Sequence, residues 1–305
     1  MKVAITGGNG FIGSHVVESL RLAGHELTVL DISPPRADVD WAGVRYVRGS
    51  FLEEDALDAA LDGMDCVVHS ASTSVPSTSM ANPVADVEQN LLGTLRIVQS
   101  MVRRRVPRIV YLSSGGTVYG VTSGEPVDEQ HPCMPISGYG IVKLACEHYL
   151  RVLSRTHGFS SLSLRASNPY GPRQAGSGVQ GLIGTVMHRL RKGLPIDIRG
   201  DGSAVRDYLY IEDMADAVTL AVASPLEGVV NIGSGTGLSV LEVVRAVEQA
   251  MGVVACKRFG EASTSDVPRI VLDCRKAASE LKWAPRTTFE LGVRTTASKL
   301  SEMPS

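Results

Sequence analysis

Thr6-Gly7-Gly8-Asn9-Gly10-Phe11-Ile12-Gly13 decides the fold of this chain. Lys2-Val3-Ala4-Ile5-Thr6 before it is a short apolar run with strand character, and apolar residues recur at helical spacing over 11–23 after it. Gly7, Gly10 and Gly13 therefore lie in a turn between a strand and a helix. Without a Cβ the backbone can approach an anion closely, and the helix start offers that anion unpaired N–H groups and a positive dipole end. With Phe11 and Ile12, these glycines are the expected cradle of a dinucleotide pyrophosphate. Asp31 closes the next apolar run, Glu26-Leu27-Thr28-Val29-Leu30. A carboxylate there accepts ribose hydroxyls and repels a 2′-phosphate, so the expected cofactor is NAD rather than NADP.

Working outward, strands are predicted over 44–47, 66–69, 108–112 and 162–166, and helices over 54–61, 86–104 and 139–157. Strand–helix alternation of this kind predicts an α/β fold, a Rossmann-type doubly wound parallel sheet covered on both faces. Beyond residue 166 the rhythm changes. Residues 167–180 are rich in Gly, Pro, Ser and Asn and read as a loop, followed by shorter helices over 182–192, 211–223, 239–251, 275–281 and 289–300. The expected division is an NAD-binding domain over 1–166, rejoined by a segment near 205–235, and a smaller mixed α/β substrate-binding domain over 167–305.

Composition narrows the function. Thirty Lys and Arg against 32 Asp and Glu leave a net charge of -2, without the broad positive field that nucleic acid requires. Arg103-Arg104-Arg105 ends a predicted helix, where cations suit the dipole. The five cysteines are odd in number and include no C-x-x-C pair, and no H-E-x-x-H occurs, so neither a disulfide framework nor a metal is expected. No apolar stretch approaches the ~18 residues of a membrane span. Met1-Lys2 runs directly into the first strand, without a signal peptide, and a cytoplasmic protein is expected.

A second landmark is Tyr139-Gly140-Ile141-Val142-Lys143. Residues four apart share a helix face, so phenol and ammonium can meet one ligand. A free phenol, with a pKa of about 10, is a weak base at neutral pH; a neighbouring ammonium and an oxidised nicotinamide favour its ionised form. Ser113-Ser114-Gly115-Gly116-Thr117-Val118-Tyr119-Gly120 lies upstream, at the carboxyl end of a predicted strand, where ligands bind in such sheets.

These segments resemble an extended short-chain dehydrogenase/reductase, nearest the UDP-galactose 4-epimerase-like branch. The resemblance extends in order through Asn90 before Gly93-Thr94, Pro135, Asn168-Pro169-Tyr170-Gly171-Pro172-Arg173, Gly200-Asp201-Gly202, Arg206-Asp207-Tyr208 and Asp266-Val267-Pro268. It implies an NAD-dependent epimerase of a nucleotide sugar: Tyr139 takes a hydroxyl proton, usually at C4, hydride passes to NAD and then returns to the other face of the ketosugar. Lys143 would hold the nicotinamide ribose. Ser50, Phe51, Asn90 and Ser113 fall at cofactor positions, and Thr117, Asn168, Arg206 and Asp266 at substrate positions. A homodimer would pair helices 86–104 and 139–157 into a four-helix bundle.

Three departures stand out. Gly115 replaces the usual Ser or Thr, so Ser114 or Thr117 must supply the hydroxyl. Ser50-Phe51 replaces an Asp-Ile pair at the adenine. An Arg before the Asp-Val-Pro segment is replaced within Ser263-Thr264-Ser265, with Arg258 or Arg269 able to compensate. Related dehydratases need carboxylates at the positions of Gly116 and Thr117, which disfavours elimination. A nucleotide-sugar ketoreductase is the alternative, and a non-catalytic NAD-binding regulator a more distant one.

Overall fold

The computed structural model describes residues 1–124, 126–174, 181–261 and 267–301. The first part runs β1 (Lys2–Thr6), α1 (Phe11–Leu22), β2 (Glu26–Asp31), β3 (Val44–Arg48), α2 (Glu54–Leu61), β4 (Cys66–His69), α3 (Leu92–Arg104), β5 (Arg108–Ser114), α4 (Gly138–His157) and β6 (Ser160–Ala166). The second runs β7 (Asn168–Tyr170), α5 (Leu182–Arg191), β8 (Ile196–Arg199), β9 (Val205–Tyr210), α6 (Ile211–Ala223), β10 (Gly228–Ile232), β11 (Gly237–Ser239), α7 (Val240–Met251), β12 (Lys257–Gly260), β13 (Arg269–Ile270) and α8 (Phe289–Ser301).

One seven-stranded sheet dominates, in the order β10-β6-β5-β4-β1-β2-β3. All its pairings are parallel. Strand order reverses between β1 and β4, and the crevice outside their carboxyl ends is where such sheets take ligands. Alternation along β1 feeds two cores. Val3 and Ile5 pack toward Val16, Val17 and Leu20 of α1 and Val218 of α6. Ala4 faces the other way, into a core with Leu57, Ile97 and Val142. Each such aliphatic side chain, fully buried, contributes roughly 1.5–3 kcal/mol. These cores hold the strand ends still.

The helix expected over 86–104 is interrupted. Asn82 caps a short turn, Pro83–Asp86, which passes into a π-helical turn, Val87–Leu91, before α3 begins. A π turn inserts one residue and so shifts the helical phase by about 100°, a single local step that spacing read over a twenty-residue stretch does not resolve. Its effect is local: Asp86 and Asn90 both turn toward residues 73 and 74.

In the second part β9 pairs with β11, β13 and β7, while β12 pairs with β8. Asp207 of β9 is buried and accepts from Ser234 N and Oγ, Gly235 N and Leu272 N, at 2.7–3.2 Å. Burial pushes its carboxyl up, and those donors oppose the shift. A strap returns to α1: Arg173, in the left-handed region at φ 69, makes two 2.6 Å hydrogen bonds to Glu18. His15 Nε2 donates to Pro172 O at 3.0 Å.

Candidate active site

The glycine turn is built to admit backbone and little else. Gly7 sits at φ 73, and a Cβ there would stand 2.7 Å from Ala71 Cα. A Cβ on Gly13 would stand 2.0 Å from Gly7 O. Gly10 is the N-cap of α1 and provides no side-chain cap, so the helix start, with Phe11 and Ile12, remains available to an anion. Asp31 is fixed at the end of β2, where its two oxygens accept from Asn9 N and Ser33 N, each at 3.0 Å. Each carboxylate oxygen keeps accepting capacity for further donors. Ser50 and Phe51 face their own chain: Ser50 Oγ accepts from Leu52 N at 3.1 Å, and the Phe51 ring lies 5.6 Å from the His69 ring. Phe51 also fills the space above Gly93, where a Cβ would come within 2.4 Å of its ring.

Ser137 caps α4 by accepting from Gly140 N at 3.2 Å, which starts the helix just before Tyr139. Tyr139 N donates to Ser79 Oγ at 3.0 Å. One turn on, buried Lys143 lies with Nζ 5.5 Å from the Tyr139 ring centroid and 4.8 Å from that of Tyr111. Nζ donates to Leu112 O at 2.7 Å. Burial lowers the Lys143 pKa to about 8. Burial pushes the Tyr139 phenol up and the Asp86 charge pushes the same way, while a hydrogen bond with Ser72 opposes them. A further turn along, Glu147 accepts from Arg165 Nη2 at 2.7 Å and from the Ser113 hydroxyl. The Ser113 side chain is thus committed inward.

Facing α4 is the turn after β5. A Cβ on Gly140 would stand 2.6 Å from Thr117 O, so the turn and the helix meet directly beside Tyr139. Gly115 is closed: a Cβ there would meet Leu272 Cδ1 at 2.6 Å. Gly116 is open, with Asn168 no nearer than 3.9 Å to such an atom. Ser114 is half-buried. Thr117 Oγ1 is buried with no hydrogen-bond partner among the described residues.

Asn168 Nδ2 donates to Asp207 O at 2.9 Å, and Arg206 Nη1 to Val205 O at 2.9 Å. Asp266 and the Ser263–Ser265 stretch lie outside the described residues. Of the two candidate compensating arginines, Arg258 is exposed on β12, whereas Arg269 Nε donates to Gly124 O at 2.7 Å. Asn90 shapes the site indirectly: its Oδ1 accepts from Thr73 N at 2.9 Å and its Nδ2 donates to Asp86 Oδ1 at 2.7 Å. Among the described residues no group of His, Cys, Asp or Glu is placed to hold a metal ion, and no helix is long and apolar enough to cross a membrane. Asp86, Glu147 and Leu272 escaped the sequence reading. Glu147, four residues beyond Lys143, and Asp86, four before Asn90, carried a spacing signal; Leu272 carried none.

Residues 3–233 match the model of the NAD dependent epimerase/dehydratase family. A UDP-glucose 4-epimerase of Mycolicibacterium smegmatis is 31% identical, over 97% of each chain. The UDP-glucose 4-epimerase of Thermus thermophilus, solved in complex with NAD, is 36% identical, covers 99% of each chain and superposes with a TM-score of 0.93. That of Thermotoga maritima, solved with UDP-glucose, is 31% identical, with 99% coverage of each chain and a TM-score of 0.94.

Proposed function

This chain belongs to the NAD-dependent epimerase/dehydratase family, and from that premise we propose that it inverts C4 of a nucleotide sugar, with a UDP-hexose or UDP-N-acetylhexosamine as substrate. The observation that carries the reading is Tyr139 and Lys143 together on α4, against which the turn carrying Thr117 packs, where neither position 116 nor 117 offers a carboxylate.

The residues fit NAD. The cradle of Gly7, Gly10 and Gly13 at an uncapped helix start suits a pyrophosphate, and Asp31 suits a ribose diol. When bound, NAD supplies an acceptor that takes a hydride from the sugar carbon and gives it back. The chain's own part is proton handling. Tyr139 Oη, as phenolate, accepts the C4 hydroxyl proton while the C4–H electron pair departs, leaving a C4 ketone; on return it gives that proton back. Lys143, anchored on Leu112 O, keeps two N–H donors for a ribose diol and places positive charge beside the phenolate. Thr117 is read as the hydroxyl that orients the C4 oxygen, because its buried Oγ1 has no hydrogen-bond partner among the described residues. Asn168 and Arg206 are read as contacts to the nucleotide diphosphate, Arg206 by paired charge-assisted hydrogen bonds.

A homodimer accompanies this reading. A groove of about 560 Å³ between α3 and α4 is lined by Leu95, Val98, Val102, Tyr149 and Leu153. Val102 and Tyr149 are 40% and 47% exposed there, and Val152 on the same helix as Tyr149 is 55% exposed. A second copy pairing the same helices would cover them; sedimentation as a dimer, lost in Tyr149→Lys, tests it.

The activity test is direct. The purified protein is incubated with NAD and UDP-glucose or UDP-N-acetylglucosamine, and products are resolved by NMR. Appearance of the galacto epimer without net NADH supports the reading. Stoichiometric cofactor turnover would replace it with a ketoreductase, and a 4-keto-6-deoxy sugar with a dehydratase.

A further inference from the structure

Asp86 is a buried carboxylate beside the catalytic helix, only 3% exposed. Its Oδ1 accepts from Ser74 Oγ at 2.6 Å and from Asn90 Nδ2 at 2.7 Å. Its Oδ2 is also buried and has no hydrogen-bond partner among the described residues. A carboxylate oxygen without a hydrogen-bond donor in a low-dielectric wall acts on its surroundings through charge, here on Tyr139 and Lys143. The segment carrying it packs against α4, and Ser79 and Met80 just before it bind the backbone N–H groups of Tyr139 and Gly138.

Taking every element around Tyr139 and Lys143 in turn isolates its role. From β4, His69 faces Lys143 but burial pulls it down to about 3, so it is neutral. From β5, Tyr111 is held far above its ordinary range by burial, and on α4 itself Cys146 is raised likewise. Glu147 is paired with Arg165, and its charge, like that of Asp86, also bears on Lys143. Among the described residues, the Lys143 ammonium and the Asp86 carboxylate are the charges here without an ion-pair partner of their own.

We propose that Asp86 is a positioning residue that acts as the fixed counter-charge of Lys143, so that Tyr139 ionises only against the positive charge of the oxidised cofactor. The inference rests on Tyr139 being the base. With the phenol intact, ammonium and carboxylate cancel and the site is neutral. With the phenol ionised, the chain's groups sum to one negative charge, which oxidised nicotinamide neutralises. Both halves of the cycle are then neutral, and proton and hydride transfer are tied together. Without Asp86 the phenolate and ammonium balance each other alone, and the tie is lost.

The test is a phenolate absorbance titration with saturating NAD and without it, taken as the difference from Tyr139→Phe. Removing a negative charge favours the phenolate and disfavours the ammonium, so both ionisations move in the same direction. In Asp86→Asn, the NAD-bound midpoint is expected to fall by about one pH unit, and both limbs of the pH–turnover profile to move acidwards. Asp86→Glu and Ser74→Ala, which keep the charge, are expected to keep the wild-type midpoint; Asp86→Ser carries the same test should Asp86→Asn not fold. An unmoved midpoint in Asp86→Asn, or an equal shift in Ser74→Ala, overturns the counter-charge while Tyr139 can still be the base. Full turnover by Tyr139→Phe overturns both.

Discussion

Leu272 occupies the space that a side chain at residue 115 would need: a Cβ on Gly115 would stand 2.6 Å from Leu272 Cδ1 and 3.0 Å from Arg165 O. Leu272 is itself held by its N–H, which donates to Asp207 at 3.2 Å. The missing hydroxyl at 115 is therefore no local accident. It belongs with a leucine far along the chain and an aspartate that fixes it.

Restoring the hydroxyl should do harm. Gly115→Ser is expected to destabilise the fold by roughly 1–3 kcal/mol through overpacking, with part of the loss recovered in Gly115→Ser/Leu272→Ala. Urea unfolding of the two variants decides the matter; an unchanged midpoint in the single variant contradicts the steric account.

If Thr117 orients the sugar oxygen, Thr117→Val should lose about 10- to 100-fold in kcat, the range of about one to three kcal/mol for a hydrogen bond to a charged or developing-charge group. Thr117→Ser should recover most of it, and Ser114→Ala should lose little. The reverse ranking transfers the role to Ser114.

Tyr139→Phe is expected to lower kcat by about 10²–10⁴, the usual worth of a positioned acid–base group, while NAD still protects the protein against thermal unfolding. Loss of that protection would mean that the phenol is needed for binding, not proton transfer.

Asp31→Ser removes the carboxylate that stands where a 2′-phosphate would lie. NAD should bind more weakly and NADP more tightly, narrowing the preference between them. Fluorescence titration with the two reduced cofactors measures it; a preference that does not change places the adenosine elsewhere.

Two buried histidines tie stability to pH. Burial holds His15 at about 4 and His69 at about 3, against an ordinary 6.5. The unfolded chain thus binds more protons over that interval, and unfolding free energy rises with pH until about 6.5 and is level above it. The urea midpoint should fall between pH 7 and pH 5, and His15→Gln should make that fall shallower.

What could be read from the sequence was whatever chemistry is local. Gly7, Gly10 and Gly13 announce a strand–helix turn because strand, turn and helix are contiguous. Tyr139 and Lys143 share a face because the helix repeat places them so. Asp86 and Asn90 obey the same spacing, but the π turn that carries Asn90 is one short local step in phase, so 86–104 read as one helix. Leu272 against Gly115 and Arg165 against Glu147 are meetings of distant segments, and neither leaves a periodic trace. Ser113 illustrates the limit: its position suggested a ligand contact, yet its hydroxyl serves Glu147.

Gly116, next to the closed position, opens onto unfilled room, with its backbone outside the left-handed region and nothing nearer than 3.9 Å to an added carbon. A larger residue could settle there by ordinary mutational drift without upsetting the scaffold. An acidic newcomer would bring a proton donor to the sugar's edge. One substitution there would thus supply half of the carboxylate pair that elimination needs, while its immediate neighbour is locked.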